Sequence, residues 1–157
     1  MSTAPKTLRS DIAIAGGGPV GLTLALALAS RGFEVVVADA SPPSVTGRAN
    51  TRAYFIAHGC WRIFRALGLE DRLLPQAEPV TQVEAEGRIG GISFIAEDCS
   101  EPVLGYMIEA GALAHVLHDA VAHEKAITHL VRARICNVAF NDPCATLTLA
   151  DADVLAP

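Results

Sequence analysis

The chain has 157 residues, of which 51% are apolar, 18% charged and 5% aromatic, enough to bury one domain's core and short for two. That balance is too apolar for a disordered chain and too mixed for a fibre. Twelve basic against 17 acidic residues give a net charge of -5 with no Lys/Arg run, so nothing here neutralises a line of phosphates and no nucleic-acid partner is expected.

Lys6 and Arg9 precede a charge-free stretch from Ile12 to Ser30, and Ala38-Asp39-Ala40 follows, which imitates a signal peptide or a membrane span. Gly16-Gly17-Gly18-Pro19 divides that stretch into a strand-sized and a helix-sized piece, each too short to cross a bilayer of ~30 Å. Ser10 to Ala15 therefore reads as a central parallel strand covered on both faces. Val20 to Ser30 reads as a buried helix, apolar all round, stopped by Arg31-Gly32. Glu34 to Asp39 reads as a second strand, closing a βαβ unit.

Within that unit Gly16-Gly17-Gly18-Pro19-Val20-Gly21 satisfies G-x-G-x-x-G. Gly16 serves the sharp turn, Gly18 the close approach of a pyrophosphate, and Gly21 the packing of helix on strand, while the intervening Gly17 is expected to point away. The helix start, from Val20 on, offers free N–H groups and a positive dipole end to phosphates, while Pro19 brings no N–H of its own. Asp39 stands at the tip of the second strand, where a carboxylate accepts both ribose hydroxyls of an adenosine and repels a 2′-phosphate. A preceding strand, a following helix and an acid at the right distance identify a dinucleotide site; the motif alone does not separate NAD from FAD.

The segment from Ala40 to Asn50 reads as a loop, with Asn50 or Thr51 capping a helix that Gly68 ends. Ile56, Cys60, Ile63, Phe64 and Leu67 supply its core face, with His58, Arg62 and Arg65 opposite. Strands around Pro79–Glu86, Ile92–Ala96 and Leu104–Glu109 form an antiparallel excursion. A helix from Gly111 to His123 buries Leu113, Val116, Leu117, Ala120 and Val121, leaving His115, His118, Asp119 and His123 as a solvated polar face rather than a metal site. Ile127–Phe140 and Ala145–Leu149 read as two closing strands.

No P-loop, H-E-x-x-H or Ser/His/Asp order is found, so no catalytic side chain is assigned. Cys60, Cys99, Cys136 and Cys144 include no C-x-x-C pair, which disfavours a zinc site or disulfide scaffold and fits a reducing cytoplasm. Cys60 is expected in a helix core rather than as a nucleophile. A cofactor is left to carry any chemistry.

The opening Asp11-Ile-Ala-Ile-Ala-Gly-Gly-Gly-Pro-Val-Gly-Leu22 resembles that of single-component FAD-dependent aromatic hydroxylases. Arg52-Ala-Tyr-Phe, running on to Leu67-Gly-Leu69, is similar to the family's Arg-Ala segment, where the Arg lies against the flavin. Leu104-Gly-Tyr-Met-Ile-Glu109 resembles a stretch of the ubiquinone-biosynthesis branch, although Ala110 stands where the family has Asn or Arg. The resemblance implies a Rossmann-like FAD/NAD(P)-binding α/β fold with an antiparallel excursion. It implies FAD as cofactor, NAD(P)H as transient electron donor, O2 as oxidant and a small aromatic or prenylated phenol as substrate. It places Gly16, Gly18, Pro19, Val20 and Gly21 on the pyrophosphate, Asp39 on ribose and Arg52 beside flavin or phosphate; a plain first-turn surface arginine is the alternative for Arg52.

The family continues past Pro157 into Asp-Gly and Gly-Asp segments and a substrate-covering sheet. Residues 1–157 are thus expected to be the N-terminal portion of an FAD-binding domain, binding FAD weakly and hydroxylating nothing unaided. The full-length enzyme is expected in the cytoplasm, with room for peripheral association with the inner membrane. Two other readings share the same front unit: an NAD-binding dehydrogenase fragment and an inert nucleotide-binding module.

Overall fold

The computed structural model describes residues 7–41 and 52–150, which fall into two compact units. One comprises Met1–Pro43 with His118–Pro157, the other Ser44–Leu117. The Ala40 to Asn50 loop lies outside the described residues after Ser41, and so does the Asn50/Thr51 cap.

In the first unit, β1 (Ile12–Ala15), α1 (Pro19–Ala29) and β2 (Val35–Ala38) form the expected βαβ, with β1 and β2 parallel. A third parallel strand, β8 (Ile127–Leu130), pairs with the free side of β2, giving the order β1-β2-β8. The central strand is therefore β2, with Val35, Val37 and Ala38 buried, whereas β1 buries Ile14 alone. The expectation of a first strand covered on both faces is corrected accordingly. Helix α1 packs on all three strands. Only Leu22 and Ala25 of it are buried, while Val20 and Leu24 are 84% and 48% exposed. The all-apolar composition thus overstated its burial, because one stripe of a helix meets a sheet.

The closing strand expected over Ile127–Phe140 is two strands. The chain breaks at Arg132, whose φ of 56° is left-handed, so β8 joins the parallel sheet and β9 (Ile135–Asn141) forms an antiparallel ribbon with β10 (Cys144–Leu149).

In the second unit, residues expected to begin a helix form β3 (Ala53–Ala57), followed by α2 (His58–Ala66) and a short α3 (Glu70–Leu73). Strand β3 pairs antiparallel with β7 (Gly105–Glu109), which also pairs with β4 (Ala77–Val80). The strand wins over the helical spacing of Ile56 because pairing with β7 satisfies its backbone. The buried face of α2 is Trp61 and Phe64, not Cys60 or Ile63, both exposed. Trp61 is fully buried against Tyr106, with ring centroids 4.2 Å apart, and donates Nε1–H to Glu70 Oε1 at 2.9 Å. Arg65 grips the same carboxylate through Nε at 2.7 Å and Nη2 at 2.8 Å. The stretch Pro79–Glu86, expected as one strand, is divided between β4 and β5 (Gln82–Gly87); β5 pairs antiparallel with β6 (Gly90–Ile95), separately from the β3-β7-β4 sheet. Helix α4 (Ala110–His123) buries Leu113, Val116, Leu117 and Val121 as expected.

Candidate functional site

The turn from β1 into α1 is built by its glycines. Gly16 takes φ +106°, a conformation that L side chains rarely adopt. Its N–H donates to the Ala38 carbonyl at 2.8 Å, fastening the loop to the end of β2. A Cβ on Gly21 would run into the backbone oxygen of Gly16, so the helix approaches the loop as closely as it does only because Gly21 lacks a side chain. Gly18 is the N-cap of α1, with no side-chain cap and Pro19 in the first turn; its carbonyl accepts the Leu22 N–H at 2.9 Å. The space where a Gly18 Cβ would stand is open. The first N–H groups of α1 thus have no side chain folded over them, the arrangement that suits an anion.

Gly17 differs from what the motif led us to expect. It is buried between the exposed Gly16 and Gly18, and a Cβ there would lie 2.7 Å from Asp39 Oδ2 and 2.8 Å from His129 Nε2. It points inward, toward the acid, rather than away from the site. Asp39 is partly buried just beyond β2. Its Oδ2 accepts the Gly17 N–H and its Oδ1 the Ser41 N–H, each at 2.8 Å. Each carboxylate oxygen retains further lone-pair capacity, so the anchored acid can still receive hydroxyl donors.

The histidines of α4 do not form one solvated face. His118 is partly buried, its ring stacked on that of His129 from β8 at 5.4 Å and 18° between planes. Burial pushes both rings below the ordinary histidine range, and Asp39 opposes the shift. His115 and His123 follow the expected pattern: both are exposed, and His123 lies beside Asp119, with Nδ1 2.8 Å from the Asp119 carbonyl oxygen. Among the described residues no group of three His, Cys, Asp or Glu converges as a metal site. Sequence reasoning missed His129, because its partners lie on other elements and no spacing announces them.

Gly16, Gly18, Pro19, Val20, Gly21 and Asp39 all belong to the first unit, and Arg52 to the second. Arg52 does not begin a helix: it precedes β3, and its carbonyl accepts the Ala110 N–H at 2.8 Å. The alternative of a first-turn helical arginine is thereby corrected. No helix among the described residues is long and apolar enough to cross a membrane.

Residues 9–141 match the family described as FAD binding domain. The chain belongs to that family. It is 31% identical over 145 residues to a ubiquinone hydroxylase, UbiL, of Rhodospirillum rubrum, covering 90% of this chain and 34% of that protein. It is 28% identical over 151 residues to the 3-demethoxyubiquinol 3-hydroxylase of Escherichia coli, covering 93% of this chain and 39% of that one. The chain thus spans little more than a third of the length of these relatives. The fold is that of the flavin-dependent monooxygenase PieE, solved with FAD and substrate, with a TM-score of 0.75 at 22% identity over 94% of this chain and 28% of that one. PqsL of Pseudomonas aeruginosa, solved with 2-aminobenzoylacetate, gives 0.71 at 22% identity over 90% of this chain and 39% of that one. The Rossmann-like FAD-binding α/β fold expected from the resemblance is the fold observed.

Proposed function

We propose that this chain is the N-terminal, adenosine-diphosphate-holding portion of an FAD-dependent monooxygenase that hydroxylates an aromatic ring using NAD(P)H and O2. The observation that carries this reading is the open space at Gly18, next to an anchored Asp39, in a chain of the FAD-binding family. The family match favours FAD over NAD as the dinucleotide. The names of the two curated relatives point to a ubiquinone precursor, a prenylated phenol, as the substrate class.

In this reading the N–H groups at Gly18, Val20 and the rest of the first turn of α1 take the diphosphate, with Pro19 opening the helix. The dipole of α1 adds to the attraction. Gly16 and Gly21 hold the loop down on the helix, and Asp39 accepts the ribose hydroxyls. Arg52 is the cation beside flavin or diphosphate, an assignment that rests on the family resemblance. When bound, FAD supplies hydride acceptance and oxygen activation; the chain's own task is to hold one end of it in register. The 157 residues span little more than a third of the length of the relatives they match. A prenylated substrate partitions into lipid, which supports peripheral membrane association of the whole enzyme.

Titrating the purified chain with FAD, ADP and NAD, with flavin fluorescence and calorimetry as readouts, tests the reading. Binding of FAD that ADP displaces is expected. Binding of NAD in preference to FAD overturns it. Hydroxylation of a phenol coupled to NAD(P)H oxidation, assayed in a version of the chain extended to the relatives' length, tests the activity.

A further inference from the structure

The hairpin of the second unit carries an apolar face that the reading above does not use. Strands β5 and β6 form a sheet of their own, and every residue of both is exposed. Their register sets Val83 opposite Phe94 and Ala85 opposite Ile92 on one face, with Ile92 and Phe94 55% and 51% exposed. Gln82, Glu84, Glu86 and Ser93 take the other face, where Gln82 Nε2 donates to Glu84 Oε1 at 2.7 Å and to Ser93 Oγ at 3.5 Å. The ribbon is thus amphipathic across its thickness, and a free-standing two-stranded ribbon is marginal in water unless one face is covered. The turn is a second, separate observation. A two-residue hairpin turn ordinarily takes Asn and Gly, yet Arg88-Ile89 places at the tip an isoleucine that is fully exposed and buries nothing.

Size and charge choose the occupant. A ribbon face of about 20 Å by 10 Å, stacked on its copy, buries only about 400 Å² in total, far below the ~1,200 Å² of a stable protein interface. A strand added along either edge pairs with backbone and leaves Ile89 bare. A lipid surface takes tip and face together. Between Gln82 and Ile95 the charges are Glu84, Glu86 and Arg88, so anionic headgroups gain nothing from the ribbon and the attachment is apolar. Resting on the reading of a prenylated, lipid-dissolved substrate above, we propose that the β5–β6 hairpin docks the protein on a lipid surface of zwitterionic headgroups. Ile89 enters first and Ile92, Phe94 and Val83 follow on one face, while Glu84 and Glu86 stay in water on the other. Arg88 lays its stem along the apolar boundary and keeps its guanidinium among the headgroups.

Flotation of the full chain with phosphatidylcholine vesicles tests this, with the Kd for ADP measured by calorimetry in parallel. The chain is expected to float equally well at low and high salt. I89D and F94D each place a charge where hydrocarbon is expected and should cut vesicle partitioning about tenfold or more, with the Kd for ADP unchanged; E84Q, on the polar face, should change neither. Should F94D lose its circular dichroism, I89D still decides, because its side chain supports no packing. Added vesicles should slow amide hydrogen exchange within Gln82–Ile95. No flotation, flotation that I89D leaves intact, or flotation only on phosphatidylglycerol at low salt overturns the proposal. A dimer on gel filtration that I89D dissolves assigns the face to a second copy, and a version extended to the relatives' length that no longer floats assigns it to the protein's own further sequence; either result overturns the proposal. ADP binding without flotation refutes this inference alone. Flotation through the hairpin without ADP binding refutes the nucleotide reading and leaves the inference standing.

Discussion

The carboxylate of Asp39 accepts the backbone N–H of Gly17 at 2.8 Å, joining the tip of the second strand to the middle of the glycine loop across 22 residues of sequence. The acid is thereby held before any ribose arrives, which lowers the ordering cost of binding. Asp39→Ala removes both this brace and the ribose acceptor. A loss of ~1–3 kcal/mol in ADP affinity is expected, and an unchanged calorimetric Kd would sink the ribose assignment.

Gly17→Ala and Gly18→Ala should separate by mechanism. At Gly17 a methyl group meets Oδ2 and Nε2 at under 3 Å, whereas at Gly18 it enters open space. Gly17→Ala should therefore lower the melting temperature of the ligand-free chain, by about 1–3 kcal/mol of overpacking. Gly18→Ala should leave that melting temperature intact and weaken ADP, by crowding the diphosphate. Thermal melts with and without ADP decide it, and the reverse pattern would show the loop's two faces to be misassigned.

Trp61 anchors the second unit, fully buried between Phe64 and Tyr106 with its N–H on Glu70. Trp61→Ala should cost ~3–5 kcal/mol by denaturant unfolding. Arg65→Ala touches the same carboxylate from an exposed position and should change the midpoint far less.

Two pH windows should appear in the stability. The folded-state pKa of His118 and His129 lies below the ordinary value of 6.5, so the unfolded chain takes up protons first as pH falls through 6.5. Stability declines from there until the folded rings also protonate, and is unaffected by these groups above that range. Glu70 works in a lower window. Hydrogen bonding to Arg65, then to Trp61, keeps its pKa below the usual 4.5, so its contribution is present above 4.5 and lost as pH falls through the folded value. Denaturant midpoints in the double variant H118Q/H129Q should lose the upper slope and keep the lower one; an unchanged upper slope would contradict the burial of the rings.

The front unit was legible because its signal is local: strand, G-x-G-x-x-G, helix and Asp39 lie within 30 residues and each constrains the next. The third parallel strand was not. Val131 to Arg134 contains neither Gly nor Pro, so the bend at Arg132 leaves no mark in composition, and the partner of β8 lies some ninety residues upstream. Strand β3 was hidden for a related reason, since the helical spacing from Ile56 to Leu67 runs unbroken across a boundary set by pairing with β7. At the site, Asp39 was legible from spacing, but its hold on Gly17 and the presence of His129 depend on sheet register, which no single segment encodes.

The pairing of β2 with β8 also bears on how the protein is made. Synthesis at about 5–20 residues per second places the emergence of Ile127–Leu130 roughly 5–20 s after that of Val35–Ala38, with the whole of Ser44–Leu117 translated in between. For that interval the central strand of the nucleotide unit carries an open edge lined with valine, of the kind that recruits foreign strands or chaperones. Ribosome-stalled chains ending before Ile127 should therefore be cut by protease within residues 7–41, and chains long enough to expose Leu130 should resist; early resistance would mean that β1, α1 and β2 fold without their third strand.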